Sequence, residues 1–167
     1  MSRPEDTPVS PIRIPSPADQ AALLALNNAH ATELSELDAQ ELGRLLSIAM
    51  AARVIGDAEA FLLTFDQDAD YRSPNFLWFR RRHARFAYVD RVVVSPAARR
   101  GGHARRLYED FFAIARGAGH ERVCCEVNSD PPNPVSDAFH ARLGFTVCGE
   151  ARLPDRGKSV RYLIRAL

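Results

Sequence analysis

Apolar residues along this 167-residue chain recur with two different periods, and the changes of period divide it into elements. Prolines at 4, 8, 11, 15 and 17 break up the start, leaving Ile12-Arg13-Ile14 as an alternating triplet suited to an edge strand and residues 1–10 as a loose segment. Ser16 then stands at an N-cap position with Pro17 in the first turn and Asp19 near the positive end, and Ala21, Leu23, Leu24 and Leu26 supply the apolar side of a first helix. Asp38 and Glu41 form an acidic capping box for a second helix, continued by Leu42, Leu45 and Leu46. From Ala52 the period shortens: Arg53-Val54-Ile55 and Ala60 to Phe65 flank a turn at Gly56-Asp57 and read as a hairpin. Phe86 to Val94 ends in the dense β-branched run of a buried strand. Helical spacing returns in Ala104, Leu107, Tyr108, Phe111, Ile114 and Ala115, closed by Gly117 and Gly119. Arg122 to Val127 is the next strand, Asn133-Pro134 opens a short helix stopped by Gly144, and Phe145 to Val147 and Val160 to Ile164 are the last strands. The expected order is β-α-α-β-β-β-α-β-α-β-β, without internal repeats.

Length allows one core, so residues 11–167 are expected to form a single domain. Twenty-two basic residues against 21 acidic ones leave a net charge of +1, which argues against a general polyanion binder and hence against nucleic acid as a partner. Lys158 is the only lysine, so nearly all the positive charge is arginine. No apolar run approaches the ~20 residues of a membrane span, and Met1 to Ser10 lacks the character of a leader; a cytoplasmic address without membrane association is the expectation. Cys124, Cys125 and Cys148 have neither disulfide nor metal spacing and read as reduced core thiols, with no metal expected.

Chemistry concentrates between the buried strand and the helix after it, in Val94-Ser95-Pro96-Ala97-Ala98-Arg99-Arg100-Gly101-Gly102-His103-Ala104-Arg105-Arg106. Glycines at a helix start let successive backbone N–H groups turn toward one point, a geometry that binds phosphate oxygens, and Arg99, Arg100, Arg105 and Arg106 add charge. No Lys-Ser/Thr follows the glycines and no G-x-G-x-x-G is present, which sets aside the Walker and dinucleotide loops.

The arrangement resembles the GNAT superfamily of N-acetyltransferases. Its pattern Arg/Gln-x-x-Gly-x-Gly/Ala is met by Arg99, Gly102 and Ala104, and its second landmark, Asn-x-x-Ala/Ser-x-x-Phe-Tyr-x-x-Leu-Gly-Phe, is approximated from Asn133 through Ser136, Phe139 and His140 to Leu143-Gly144-Phe145. The resemblance covers the chain from Ile12 and is weakest in 66–83. It implies an α+β fold with a mixed central sheet of six or seven strands, four helices, and fourth and fifth strands splayed around acetyl-CoA. Backbone groups from Arg99, Arg100, Gly101, Gly102, His103, Ala104 and Arg105 would then hold the pyrophosphate. Val92 and Val94 would pair with the pantetheine arm, Asn133 would bond it, and the N–H of Val92 or Val93 would face the oxyanion. The implied reaction is direct attack of a primary amine, small or on a protein, on the thioester in a ternary complex. A non-catalytic acyl-CoA-binding regulatory module is the alternative, and the resemblance allows a homodimer.

Where the family carries the tyrosine that protonates the leaving thiolate, this chain has His140, whose near-neutral pKa suits an acid; Tyr88 and Tyr108 are reserve candidates. Asp90 is the first choice of base, since strand alternation sets it on one face with Tyr88 and Val92; Glu126, sharing a face with Cys124 and Asn128, is the second, and Glu33 follows the first helix. For the acceptor, the carboxylates Asp66, Asp68 and Asp70 beside Tyr71, Asn75, Phe76, Trp78 and Phe79 suit a cation with an apolar body, and Asn27, Asn28 and His30 end the first helix near the expected mouth.

Overall fold

Seven strands build one mixed sheet in the order β1-β2-β3-β4-β5-β7-β6, and a computed structural model describes residues 8–167 of the chain. The strands are β1 (Ile12–Arg13), β2 (Ala51–Ile55), β3 (Ala60–Asp66), β4 (Ala87–Val94), β5 (Arg122–Asp130), β6 (Thr146–Leu153) and β7 (Lys158–Ala166). Between them run α1 (Gln20–Asn28), α2 (Ala39–Ile48), α3 (Pro74–Arg80), α4 (His103–Gly117) and α5 (Pro134–Arg142). All neighbouring strands are antiparallel except β4 and β5, which are parallel. Residues 1–7 of the segment expected to be loose lie outside the described residues, whereas Ser10 is tied down: its hydroxyl donates to Glu59 at 2.9 Å and its carbonyl accepts from Arg106 at 2.7 Å.

The hydrophobic stripe of α4, through Leu107, Phe111 and Ala115, packs on one face of the sheet against Ala87, Val89, Val123 and Val127, together with Phe139 and Leu143 at the end of α5. On the opposite face α1 and α2 bring Leu23, Leu26 and Leu42 onto Val54, Phe61 and Val93, while α3 brings Phe76 and Phe79 onto Phe65, Tyr88 and Tyr162. Asp38 caps α2 as its spacing predicts, accepting the N–H of Glu41 at 2.7 Å. Asp19 accepts the Ser16 N–H at 2.7 Å and pairs with Arg13, but Pro17–Asp19 form a tight 3-10 turn ahead of α1.

Four departures from the pattern-based reading matter. A fifth helix, α3, is added to the four expected: Pro74 supplies its start, and Asn75, Phe76 and Phe79 share its buried side. The final hairpin is far longer than Phe145 to Val147 and Val160 to Ile164, because β6 is largely exposed and carries no apolar alternation; its ladder with β7 defines it. Cys148 is exposed, while Cys124 and Cys125 are buried free thiols. Lastly, β4 is bulged: Leu63 faces Arg91 and Thr64 faces Val89, so Asp90 is the extra residue. A bulge shifts the alternation by one. Arg91 and Val93 therefore fall on the Tyr88 face and Val92 packs toward α4, correcting the expectation that Tyr88, Asp90 and Val92 share a face.

Candidate active site

The β4–β5 ladder consists of two pairs, Ala87 with Val123 and Tyr88 with Cys124, after which the strands diverge. A cleft of about 520 Å³ occupies the gap. The phase of the β3–β4 ladder decides which backbone groups face it. Ser95 N–H donates to the Glu59 carbonyl at 2.8 Å, and hydrogen-bonded and non-bonded pairs alternate along an antiparallel ladder. Val93, opposite Phe61, thus directs its N–H and C=O to β3, whereas Val92 and Val94, opposite Leu62 and Ala60, direct theirs to the cleft. Val92 rather than Val93 is the strand N–H available to a ligand.

The chain leaves β4 through a 3-10 turn at Pro96–Ala98, passes Arg100 at φ 70° and Gly102 at φ 72°, and enters α4. The first helical bond runs from Arg106 N–H to the Gly102 carbonyl, so Gly102, His103, Ala104 and Arg105 have no acceptor within the helix, and no side chain caps it. A Cβ placed on Gly102 would meet nothing within 4 Å, so the space before these donors is open. That opening and the positive end of a 15-residue helix fit phosphate oxygens. Within the expected cradle, Arg99 N–H and Gly101 N–H turn back to the Pro96 and Ala98 carbonyls. The side chains divide too: Arg99 lines the cleft and Arg100 is exposed, but His103 binds Glu59 at 3.1 Å and Arg105 binds Glu109 at 2.9 Å. Ala104 lines the cleft, as does Asn133, whose Oδ1 accepts the Ser136 N–H at 3.2 Å to cap α5 and leaves its amide NH₂ as a donor. These groups suit acetyl-CoA, with its pyrophosphate before α4 and its arm along Val92, Val94 and Asn133.

His140 is placed in the cleft wall, but not as a free acid. It is 4% exposed, its Nδ1–H donates to the Ser136 carbonyl at 2.8 Å, and its Nε2 therefore carries the lone pair that accepts the Tyr108 hydroxyl at 2.7 Å. Burial lowers its pKa, so the ring is neutral. Tyr108, whose hydroxyl burial holds well above the usual phenol range, also lines the cleft and is the donor of this hydrogen-bonded pair.

Asp90 is likewise committed elsewhere. Its carboxylate accepts the Tyr71 hydroxyl at 2.6 Å and pairs with Arg91 at 2.7 Å, and Arg91 in turn donates to Asn27 at 2.8 Å. This buried network ties β4 to α1 and to the segment before α3. Glu126, like Asp90 and Glu33, lines the cleft, and it accepts the Tyr88 hydroxyl at 2.7 Å and the Asn75 amide at 3.1 Å. Burial pushes its pKa up to about 7, against the lowering effect of the Tyr88 bond. Asn75 is oriented from behind by the Tyr162 hydroxyl at 2.9 Å.

Of the expected acceptor residues, His30, Glu33, Tyr71 and Asn75 line the cleft. Asn28 does not; it donates to the Leu37 carbonyl at 2.9 Å and accepts the Leu37 N–H at 3.0 Å, stapling the α1–α2 connection. Trp78 stacks on Tyr162 at 4.1 Å under the Arg82 guanidinium, over Gly149, where a Cβ would clash with the indole; it is packing, not pocket wall. Asp66, Asp68 and Asp70 are also absent from the cleft lining. Instead Arg156 and Lys158, two cations to which the sequence pattern assigned no site role, line it. No group of three or more metal-ligating side chains occurs, and no helix is long and apolar enough to cross a membrane, among the described residues.

Solved structures with this fold include the ribosomal-protein-alanine N-acetyltransferase of Brucella melitensis (TM-score 0.73, 21% identity, 94% of this chain and 99% of that one). Ard1 of Thermoplasma volcanium is similar (TM-score 0.73, 17% identity, 96% and 99%). So is yncA of Salmonella typhimurium, solved with its cofactor acetyl-CoA (TM-score 0.69, 20% identity, 95% and 94%). Among curated proteins no match is found. The family model for the GNAT acetyltransferases matches residues 30–145, from just after α1 through the Gly-Gly turn to the Gly-Phe after α5. With the splayed strands, the open helix start and this match in agreement, the chain belongs to the GNAT acetyltransferase family and is an acetyl-CoA-dependent N-acetyltransferase.

Proposed function

We propose that the enzyme moves an acetyl group to a primary amine by direct attack in a ternary complex, with Glu126 as the proton acceptor. The observation that carries this reading is Glu126 itself, a carboxylate inside the cleft with a pKa near 7 and two neutral hydrogen-bond donors, where Asp90 is locked to Arg91. A base of that pKa takes a proton from a bound ammonium at neutral pH and returns it to water. The freed amine attacks the carbonyl carbon, and the Val92 N–H stabilises the oxygen as it becomes negative. The Tyr108 hydroxyl turns from the His140 lone pair to the departing sulfur and gives it its proton as the C–S bond breaks. The new amide nitrogen sheds its surplus proton to water and water returns one to Tyr108, so one proton is released per acetyl transferred. Covalent transfer through cysteine is disfavoured by Cys125, whose thiol lines the cleft but is held well above its usual pKa by burial.

The test is mass spectrometry of products formed from acetyl-CoA and a panel of primary amines, followed by the pH profile of kcat/KM on the best acceptor. Since only the carboxylate form of Glu126 accepts a proton, the rate should rise with pH through about 7, where the folded-state titration lies. Glu126→Gln should remove that limb and lower the neutral-pH rate by about 10²–10⁴-fold. An unchanged limb in Glu126→Gln would exclude it as the base.

A further inference from the structure

The acceptor half of the cleft is marked off by the sheet register. Glu126 lies opposite Tyr162 and Asn128 opposite Val160, and Lys158, two residues before Val160 on β7, shares their face. That is the face covered by α3, where Tyr71 and Asn75 also line the cleft. The opposite side, with Ala104, Tyr108, Asn133 and Phe139, belongs to α4 and α5 and to the coenzyme.

The charges in this half are uneven. Asp90 is cancelled by Arg91, Glu126 titrates near 7, and Glu33 is exposed at the rim. Against them stand Arg156 and the chain's only lysine, Lys158, both lining the cleft. Neither makes an ion pair within 4 Å among the described residues. Lys158 is half-buried, and burial followed by Arg156 lowers its pKa. A partly desolvated ammonium beside a like charge, with no carboxylate within 4 Å and only the longer-range attraction of Glu126 to offset it, is an unfavourable arrangement that an anion relieves. The carboxylates Asp66, Asp68 and Asp70, which in the sequence suited a cation with an apolar body, are not part of this wall.

We infer that the acceptor is a small amine carrying its own anionic group, carboxylate or phosphate, which Lys158 and Arg156 hold while its ammonium faces Glu126. This rests on the amine-transfer reading above and adds a substrate class to it. A zwitterionic acceptor matches both ends of the half-cleft, a proton acceptor on the floor at β5 and two cations on the β6–β7 hairpin.

The experiment compares matched pairs of acceptors that differ only in the anion: β-alanine with β-alaninamide, phenylalanine with phenylalaninamide, and phosphoethanolamine with ethanolamine. Acetyl-CoA consumption is followed by chromatography, and acceptor binding to the enzyme saturated with CoA is measured by calorimetry. For at least one pair the anionic member should win in kcat/KM by about 10-fold or more, and the carboxylate and phosphate pairs tell which anion is preferred. Lys158→Met should weaken the anionic member by about 10- to 100-fold, chiefly in KM, with little effect on its neutral partner. Lys158→Glu should reverse the preference, and Arg156→Gln should act in the same direction as Lys158→Met. Equal or better use of every neutral member, or an equal loss on both members in Lys158→Met, would overturn the inference while leaving amine transfer standing. Preference for a peptide N-terminus over every small acceptor would overturn it too. Lys158-dependent binding of an anionic amine without turnover would uphold the binding class and overturn the assigned chemistry instead.

Discussion

His140 and Tyr108 show how a motif position and a chemical role can come apart. The landmark from Asn133 to Phe145 puts His140 where the resemblance expects a tyrosine, and the hydroxyl is supplied instead from α4, 2.7 Å from the imidazole. A neutral ring whose Nδ1–H is fixed by Ser136 presents a lone pair to Tyr108, which positions the hydroxyl oxygen, and the O–H rotates from the ring to the sulfur when it acts. Tyr108→Phe should therefore lower kcat by about 10²–10³-fold with acetyl-CoA affinity nearly intact, since the lost proton acts only at C–S cleavage. His140→Phe should cost less, because it acts through Tyr108, and His140→Gln, whose amide oxygen can accept the same bond, should recover part of the loss. Rapid kinetics with a poor leaving group would expose the difference. A larger loss in His140→Phe than in Tyr108→Phe would return the acid to the histidine. The sequence held both residues but not their pairing, because contact between α4 and α5 depends on how two helices lie on the same sheet face.

At the scale of elements, the boundaries that hydrophobic period can mark were legible: the capped α2, the stripe of α4, the β2–β3 hairpin, and the Gly-Gly turn after a β-branched strand. Those it cannot mark were not. The bulge at Asp90 leaves no trace in composition, and once it shifts the alternation, Asp90 and Arg91 form a buried ion pair, whereas Glu126 has only neutral donors beside it. β6 has little to bury and so shows no apolar alternation, and Trp78 looked like a pocket residue because its partners, Tyr162 and Gly149, lie more than seventy residues away in the sequence. The ladder phase carries its own prediction. Amide hydrogen exchange should be slow at Val93 with or without ligand, whereas Val92 and Val94, whose N–H groups face the cleft, should exchange quickly in the free enzyme and become protected when acetyl-CoA pairs along β4. Equal protection at Val92 and Val93 in the free enzyme would show that the edge is not open.

For the whole molecule, the division into two half-sheets joined by two β4–β5 pairs means that the cleft is built into the resting fold, with α4 and α5 on one face of the sheet and α3 on the other. Ligand binding then stabilises the native state by mass action, without new secondary structure. At acetyl-CoA about 100-fold above its Kd the gain is roughly 2.7 kcal/mol, which for a domain of this size raises the Tm by about 5–10 °C. Gly102→Asp separates that gain from the stability of the fold. Its Cβ would enter open space and meet no protein atom within 4 Å, so the cost to the free enzyme comes from holding a non-glycine residue at φ 72°, about 1 kcal/mol and a drop of a few degrees. The carboxylate, however, would stand before the unpaired N–H groups of α4, where it caps the helix and repels the pyrophosphate at once. The variant should thus keep its far-ultraviolet spectrum and cooperative melt but lose the acetyl-CoA-dependent rise in Tm. A full ligand shift in folded Gly102→Asp would mean that the pyrophosphate is held elsewhere than the start of α4.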